Sequence, residues 1–330
     1  MPQRFHCALI NPPVHHSANH RAKGSLILFE VGQFLFVSLW AAKDEIYFGR
    51  RFQLETGGTT LKTGMNTKLK TYDLLQKVRR ESPVVHHLTN WVTIYDCAQI
   101  VKTLGASPVM AHAPEEVADM TRIASALVLN IGTLTVDFVE AMKTAAASAN
   151  QKGIPVILDV CGAGATELRD RKVFELLDQV KINIIKGNVS EIARVSGANI
   201  RTKGVDATEV GTDLETLAQK LAVRRQATVV ITGKVDIVAG DQGIYRVKNG
   251  DALMTRVVGT GCMAASIIGA FASVDSDYRQ AAACALACYG IAAELAARQS
   301  RGPASFKAAL FDCLYNLDQP TVERMQRIEA

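Results

Sequence analysis

No histidine follows His112: all seven in this 330-residue chain lie at or before that position. Acid–base chemistry carried by the rest of the chain therefore runs without a local imidazole. There is no C-x-x-C, and the seven cysteines (Cys7, Cys97, Cys161, Cys262, Cys284, Cys288 and Cys313) are odd in number and irregular in spacing. That argues against a disulfide framework or a zinc site and for a reducing compartment. No G-x-x-x-x-G-K-[ST] occurs, so the chain is not a P-loop enzyme. Gly162-Ala163-Gly164 opens like a dinucleotide fingerprint, but Glu167 stands where the third glycine belongs and the acidic residue precedes the loop. A net charge of only +5, with no basic stripe interleaved with aromatics, argues against nucleic acid as a partner. The apolar run Ser25–Ala42 is interrupted by Glu30 and Gln33 and falls short of a comfortable membrane span, so no membrane partner is expected.

What is present describes a globular protein: hydrophobic residues make up 48% and charged residues 21%, enough for a full core. The length suits one large α/β domain or two modest ones. Residues 1–65 stand apart, with Phe29, Phe34, Phe36 and Trp40 behind Arg21 and Lys23. They read as an N-terminal extension, either a targeting segment or an upstream stretch with Met65 as the true start; His15, His16 and His20 read as part of a solvated tail. The catalytic domain is expected over residues 66–330, in the cytoplasm unless the extension directs it to an organelle.

From about residue 70 short apolar runs alternate with amphipathic stretches. Strands are expected at Ser107–Ala111, Ala126–Asn130, Pro155–Asp159, Asn183–Lys186 and Ala227–Thr232. Helices are expected at Pro114–Ser125, Val136–Gln151, Arg171–Val180, Ser190–Ser196 and Asp213–Arg224. This alternation predicts an α/β fold with a mostly parallel sheet covered on both faces. Val235–Ala239 and Gly243–Val247 read as a late antiparallel hairpin. Helices over 261–274, 279–299 and 303–317 close the chain, with Cys284 and Cys288 expected in core packing.

In such a sheet the ligand lies beyond the carboxyl ends of the strands. Those ends read Asp159 with Cys161-Gly162-Ala163-Gly164, Lys186-Gly187-Asn188 with Glu191, and Thr232-Gly233. Each offers glycine and a polar group, as a phosphate and magnesium site needs. Asp159 and Glu191 pair as magnesium candidates, although Glu191 also sits where a capping box with Asn188 would place it. Val258-Gly259-Thr260-Gly261-Cys262 opens a helix, where unpaired amides and the helix dipole favour a transferring phosphoryl group. Gly259, Thr260 and Gly261 would offer main-chain donors, and Cys262 would orient the attacking hydroxyl and accept its proton.

Taken in order, His86-His87-Leu88-Thr89-Asn90-Trp91-Val92-Thr93, Asp96-Cys97-Ala98, Gly105-Ala106-Ser107-Pro108-Val109-Met110, Asp159 with Gly162-Ala163-Gly164-Ala165-Thr166, Gly187-Asn188 with Glu191, Ile231-Thr232-Gly233 and Gly259-Thr260-Gly261-Cys262 resemble the hydroxyethylthiazole kinases, a family of ribokinase-like kinases. The resemblance runs from about residue 71 to 317. It implies a ribokinase-like three-layer sandwich and phosphorylation of 4-methyl-5-(2-hydroxyethyl)thiazole by ATP with Mg2+, a salvage step toward thiamine. It further implies that Met110 and Gly259 contact the thiazole, that Asn90 and Val92 line the alcohol site, and that Arg169 and Thr232 contact ATP beside Thr260, Gly261 and Asn188. Asp159 and Glu191 would serve the magnesium–phosphate network, and the chain would form a homotrimer with sites between subunits.

The chain departs from that pattern at Asp159-Val160-Cys161-Gly162, where the family usually reads Asp-Pro-Val-Gly; losing the proline frees φ at position 160. Position 87 is His where Asn or Cys is common, and position 91 is Trp where Tyr is common. Three rivals follow: a kinase for another heteroaromatic alcohol, such as hydroxymethylpyrimidine or pyridoxal; an ATP-dependent dehydratase of the same fold acting on hydrated nicotinamide nucleotides, which would be expected to carry Asp at position 262; and a non-catalytic thiazole- or thiamine-binding homologue.

Overall fold

A computed structural model describes residues 69–197 and 211–330. The extension 1–65 and the start at Met65 lie outside the described residues. The elements run α1 (Thr71–Glu81), β1 (Val84–Leu88), α2 (Ile94–Leu104), β2 (Ser107–Val109), α3 (Val117–Ile123), β3 (Ala126–Asn130), α4 (Val136–Lys152), β4 (Val156–Asp159), α5 (Glu167–Gln179), β5 (Ile184–Asn188) and α6 (Val189–Ser196). They continue with α7 (Gly211–Arg225), β6 (Thr228–Thr232), β7 (Asp236–Gly240), β8 (Gly243–Val247), α8 (Thr260–Ala272), α9 (Tyr278–Gln299), α10 (Pro303–Tyr315), α11 (Gln319–Met325) and β9 (Ile328–Glu329).

The strands form one sheet in the order β2-β1-β3-β4-β5-β6-β7-β8-β9. Every pairing from β2 through to β6 is parallel; β7, β8 and β9 are added antiparallel. β3 and β4 are buried along their whole length, because crossover helices cover both faces of a parallel sheet. On one face α1, α2, α8, α9 and α10 bury Leu75, Ile100, Phe271, Tyr289 and Phe306. On the other, α4 to α7 bury Met142, Val173, Ile192 and Leu221. The expected three-layer α/β architecture is the one observed.

Helix α9 is long and apolar enough to cross a membrane, yet 78% of its most apolar window is buried inside the fold, which marks a core helix. Cys284 and Cys288 lie in it, both buried, and burial pushes the Cys284 thiol up to about 12. Helix α5 begins four residues ahead of its expected start at Arg171. Thr166 supplies an N-cap there, accepting a hydrogen bond from the Arg169 amide.

Candidate active site

Parallel pairing brings the polar ends of neighbouring strands side by side. Asn130 of β3 is in register with Asp159 of β4, Asp159 with Lys186 of β5, and Asn188 with Thr232 of β6. All point to the edge where β1 runs into Asn90. Helix α8 starts above this row.

The sulfur of Cys262 is the meeting point. Asn90 Nδ2 donates to it at 3.2 Å and Asn130 Nδ2 at 3.3 Å. Each amide uses its second hydrogen within the same network: Asn90 donates to Asn130 Oδ1 at 3.1 Å, and Asn130 to Asp159 Oδ2 at 3.0 Å. Asn90 Oδ1 in turn accepts from the amide and hydroxyl of Thr93. Asn90 thus orients the sulfur. The Cys161 thiol, then the Thr93 hydroxyl, the Lys186 ammonium and the Asn90 amide hold the Cys262 thiol down at about 5, against the opposing effect of burial. The proton is kept on Cys161, whose thiol is pushed well up by its bond to Cys262 and by burial.

Asp159 is buried, and that burial raises its carboxyl to about 7 despite the ammonium of Lys186 at 3.1 Å from Oδ2. Its Oδ1 is buried without a hydrogen-bond partner. Lys186 is also buried; burial opposes its charge, but Asp159, Glu191 and Cys262 keep its pKa above the ordinary value.

Glu191 completes the capping box expected with Asn188. Its Oε2 accepts from the Asn188 amide at 2.8 Å, while Asn188 Oδ1 accepts from the Glu191 amide at 2.9 Å. Its other oxygen accepts from the Gly162 amide at 2.8 Å and so ties the β4 loop to α6. Arg169 clamps that loop: its guanidinium donates to the carbonyls of Ile131, Gly132 and Cys161. Thr232 donates to the Gly187 carbonyl at 3.4 Å.

At the start of α8, Gly259 holds φ at +91°, and a Cβ there would fall 2.6 Å from Thr93 Cγ2. Thr260 directs its hydroxyl to the Met254 and Val257 carbonyls, fixing the turn before the helix. Gly261 lies over the Lys186 ammonium, which a Cβ would approach to 3.1 Å. Met110 is half-buried in the loop after β2, and Val92 is 68% exposed beside Trp91, whose ring stacks on Phe138 and meets His112 edge-on. The imidazoles of His86 and His87 are buried and bonded elsewhere, to Thr121 and the Ala111 carbonyl and to the Val85 carbonyl. Burial disfavours the charged form of both rings and lowers their pKa, His87 to about 4.

Residues 75–320 match the model of the hydroxyethylthiazole kinase family. The chain belongs to that family. A hydroxyethylthiazole kinase from Methanosarcina mazei is 53% identical over 255 residues, covering 77% of this chain and 98% of the relative. One from Desulfatibacillum aliphaticivorans is 45% identical over 264 residues, covering 80% and 98%. The solved hydroxyethylthiazole kinase of Pyrococcus horikoshii superposes with a TM-score of 0.73 at 37% identity, covering 78% of this chain and 98% of that one. A ribokinase-like superfamily protein from Enterococcus faecalis shares the fold alone, with a TM-score of 0.54 at 15% identity over 76% of this chain and 98% of that one.

Within this hydroxyethylthiazole kinase family member, four site residues receive no individual role from the sequence: Thr93, Asn130, Cys161 and Lys186. Asn130 and Lys186 stand at expected strand ends, the right signal, but only their register with Asp159 reveals what they touch. Gly259→Ala tests how tightly this end of α8 is built. The positive φ and the contact with Thr93 are expected to cost roughly 1–3 kcal/mol, read by urea unfolding. A variant as stable as the wild type would show that Thr93 moves aside freely.

Proposed function

We propose that this chain phosphorylates the primary alcohol of 4-methyl-5-(2-hydroxyethyl)thiazole, with ATP as the phosphoryl donor and magnesium as the metal. The observation that carries the reading is the Cys262 sulfur, held by two asparagine amides at the amino end of α8 and facing the acidic tip of β4. A phosphoryl transfer needs alignment and charge stabilisation more than covalent chemistry. The first amides of α8 lack intrahelical acceptors and, with the helix dipole, suit the equatorial oxygens of the moving group. Thr260 and Gly261 supply such amides. The alcohol binds between Asn90, Val92, Met110 and Gly259, with Cys262 directing its oxygen and receiving its proton. Thr232, Asn188 and Arg169 flank ATP, Arg169 from the first turn of α5.

Asp159 Oδ1 is a buried acceptor without a partner, and Glu191 retains lone pairs beyond its two amide bonds. Magnesium takes one or two carboxylates and completes its shell with phosphates and water, so this donor set fits it. Bound there, magnesium would neutralise charge on the phosphates. Trp91, Val92, Tyr95 and Val258 are exposed apolar residues adjoining the Asn90 and Gly259 segments, which supports a homotrimer with sites between subunits.

The test is ATP consumption by the full chain with hydroxyethylthiazole, hydroxymethylpyrimidine and pyridoxal, with and without magnesium. Magnesium-dependent ADP formation with the thiazole is expected; faster turnover of either other alcohol overturns the substrate assignment. Falling pH is expected to lower kcat/KM first near 7, as Asp159 is protonated, and again in a second limb near 5, as Cys262 is protonated. Cys161→Ala removes the strongest cause of that low value and should move the second limb up toward the ordinary thiol range. An unmoved limb would assign it to another group.

A further inference from the structure

The Lys186–Asp159 pair is buried but not closed on itself. An ammonium has three N–H donors, and among the described residues Asp159 Oδ2, at 3.1 Å, is the one acceptor that Lys186 Nζ reaches. The carboxylate likewise leaves Oδ1 without a partner. Taking both charges out of water is costly unless the remaining donors and lone pairs are satisfied. A pair that only braced the sheet would have those positions filled by protein. Here the ammonium lies beside the first turn of α8: a Cβ on Gly261 would stand 3.1 Å from Nζ, so glycine at 261 leaves the cation uncovered next to the amides assigned above to the phosphoryl group.

We propose that Lys186 is a further catalytic residue, whose two open N–H donors bind the oxygens of the phosphoryl group in flight while Asp159 fixes the ammonium in place. This rests on the phosphoryl-transfer reading above. In the step, the bond from the γ-phosphorus to the ADP oxygen breaks as the bond to the alcohol oxygen forms. The alcohol proton passes to the Cys262 sulfur, and the electron pair of the broken bond stays on ADP. Lys186 remains protonated throughout and stabilises negative charge from below, opposite the α8 amides. Gly261 then has a second duty besides close approach by its own amide: it keeps a side chain from covering the cation.

The experiment compares wild type, Lys186→Met, Asp159→Asn and the double variant as full-length protein. Two readouts are taken, kcat and KM with thiazole, and calorimetric binding of ADP with and without aluminium fluoride, a mimic of the moving phosphoryl group. Lys186→Met is expected to lower kcat about 10²-fold and to change KM by less than about threefold. Its affinity for ADP with aluminium fluoride should fall at least about 10-fold, with ADP alone nearly unchanged. Removing the ammonium alone could strand a buried carboxylate and unfold the protein, so the decisive comparison is made where that charge is gone. Against Asp159→Asn, adding Lys186→Met should still cost about 10-fold or more in kcat and in binding of the mimic. A double variant as fast as Asp159→Asn, with equal affinity for the mimic, makes Lys186 a mere counter-ion and overturns the inference alone. Wild-type protein that consumes no ATP with thiazole overturns the functional reading and this inference with it.

Discussion

Cys262→Ala is expected to lower kcat about 10²-fold while KM for the thiazole stays within about threefold. The sulfur receives N–H groups from Asn90 and Asn130 and lies at the start of α8, so its removal acts where the alcohol attacks and not where the ring binds. A thiol held at about 5 is a weak base at neutral pH. Its larger contribution is therefore to direct the hydroxyl, with the proton passing to it as the phosphorus–oxygen bond forms. Alanine also leaves the two amides short of an acceptor, so a modest loss of stability should accompany the loss of rate. Steady-state kinetics decide the matter: turnover equal to wild type removes Cys262 from the mechanism.

Asp159→Ala is expected to have the largest effect on stability, roughly 3–5 kcal/mol. Deleting the carboxylate leaves Lys186 buried without its counter-charge and deprives Asn130 of an acceptor. Urea unfolding of Asp159→Ala beside Asp159→Asn separates the two causes, since the amide keeps an oxygen for the ammonium. An alanine variant within about 1 kcal/mol of wild type would mean that Lys186 sheds its proton or reaches water at little cost.

Strands β3 to β6 are legible in the sequence because each is a short apolar run that stops at a polar residue, the mark of a buried parallel strand with a functional tip. β1 is not. His86 and His87 interrupt its apolar pattern, and only the fold shows the rings buried, His86 bonded through both nitrogens to Thr121 and Ala111 and His87 through Nδ1 to Val85. Helix α5 reads short because its first turn, Glu167 to Asp170, is polar but for the exposed Leu168, and its cap Thr166 looks like the end of the glycine loop. At the site, Cys262, Asp159 and Glu191 are readable from residue type and position. The capping role of Glu191 is legible too, from the three-residue spacing to Asn188. The part Asn90 plays is not, because a side chain that holds another side chain leaves no spacing rule; it depends on which strand lies next to which. The same holds for Asn130 and Lys186, whose neighbours come from segments about 27 to 132 residues away in the chain.

That scattering has a practical side. Positions 90, 130, 159, 186 and 262 come together only when β1, β3, β4 and β5 have docked in order and α8 has settled above them. A partly collapsed chain cannot assemble a working fraction of the centre, and pairing over such distances is slow. After dilution from denaturant, recovered turnover should lag behind the return of helical signal, which makes the assay a sensitive gauge of whether the last strand has found its place.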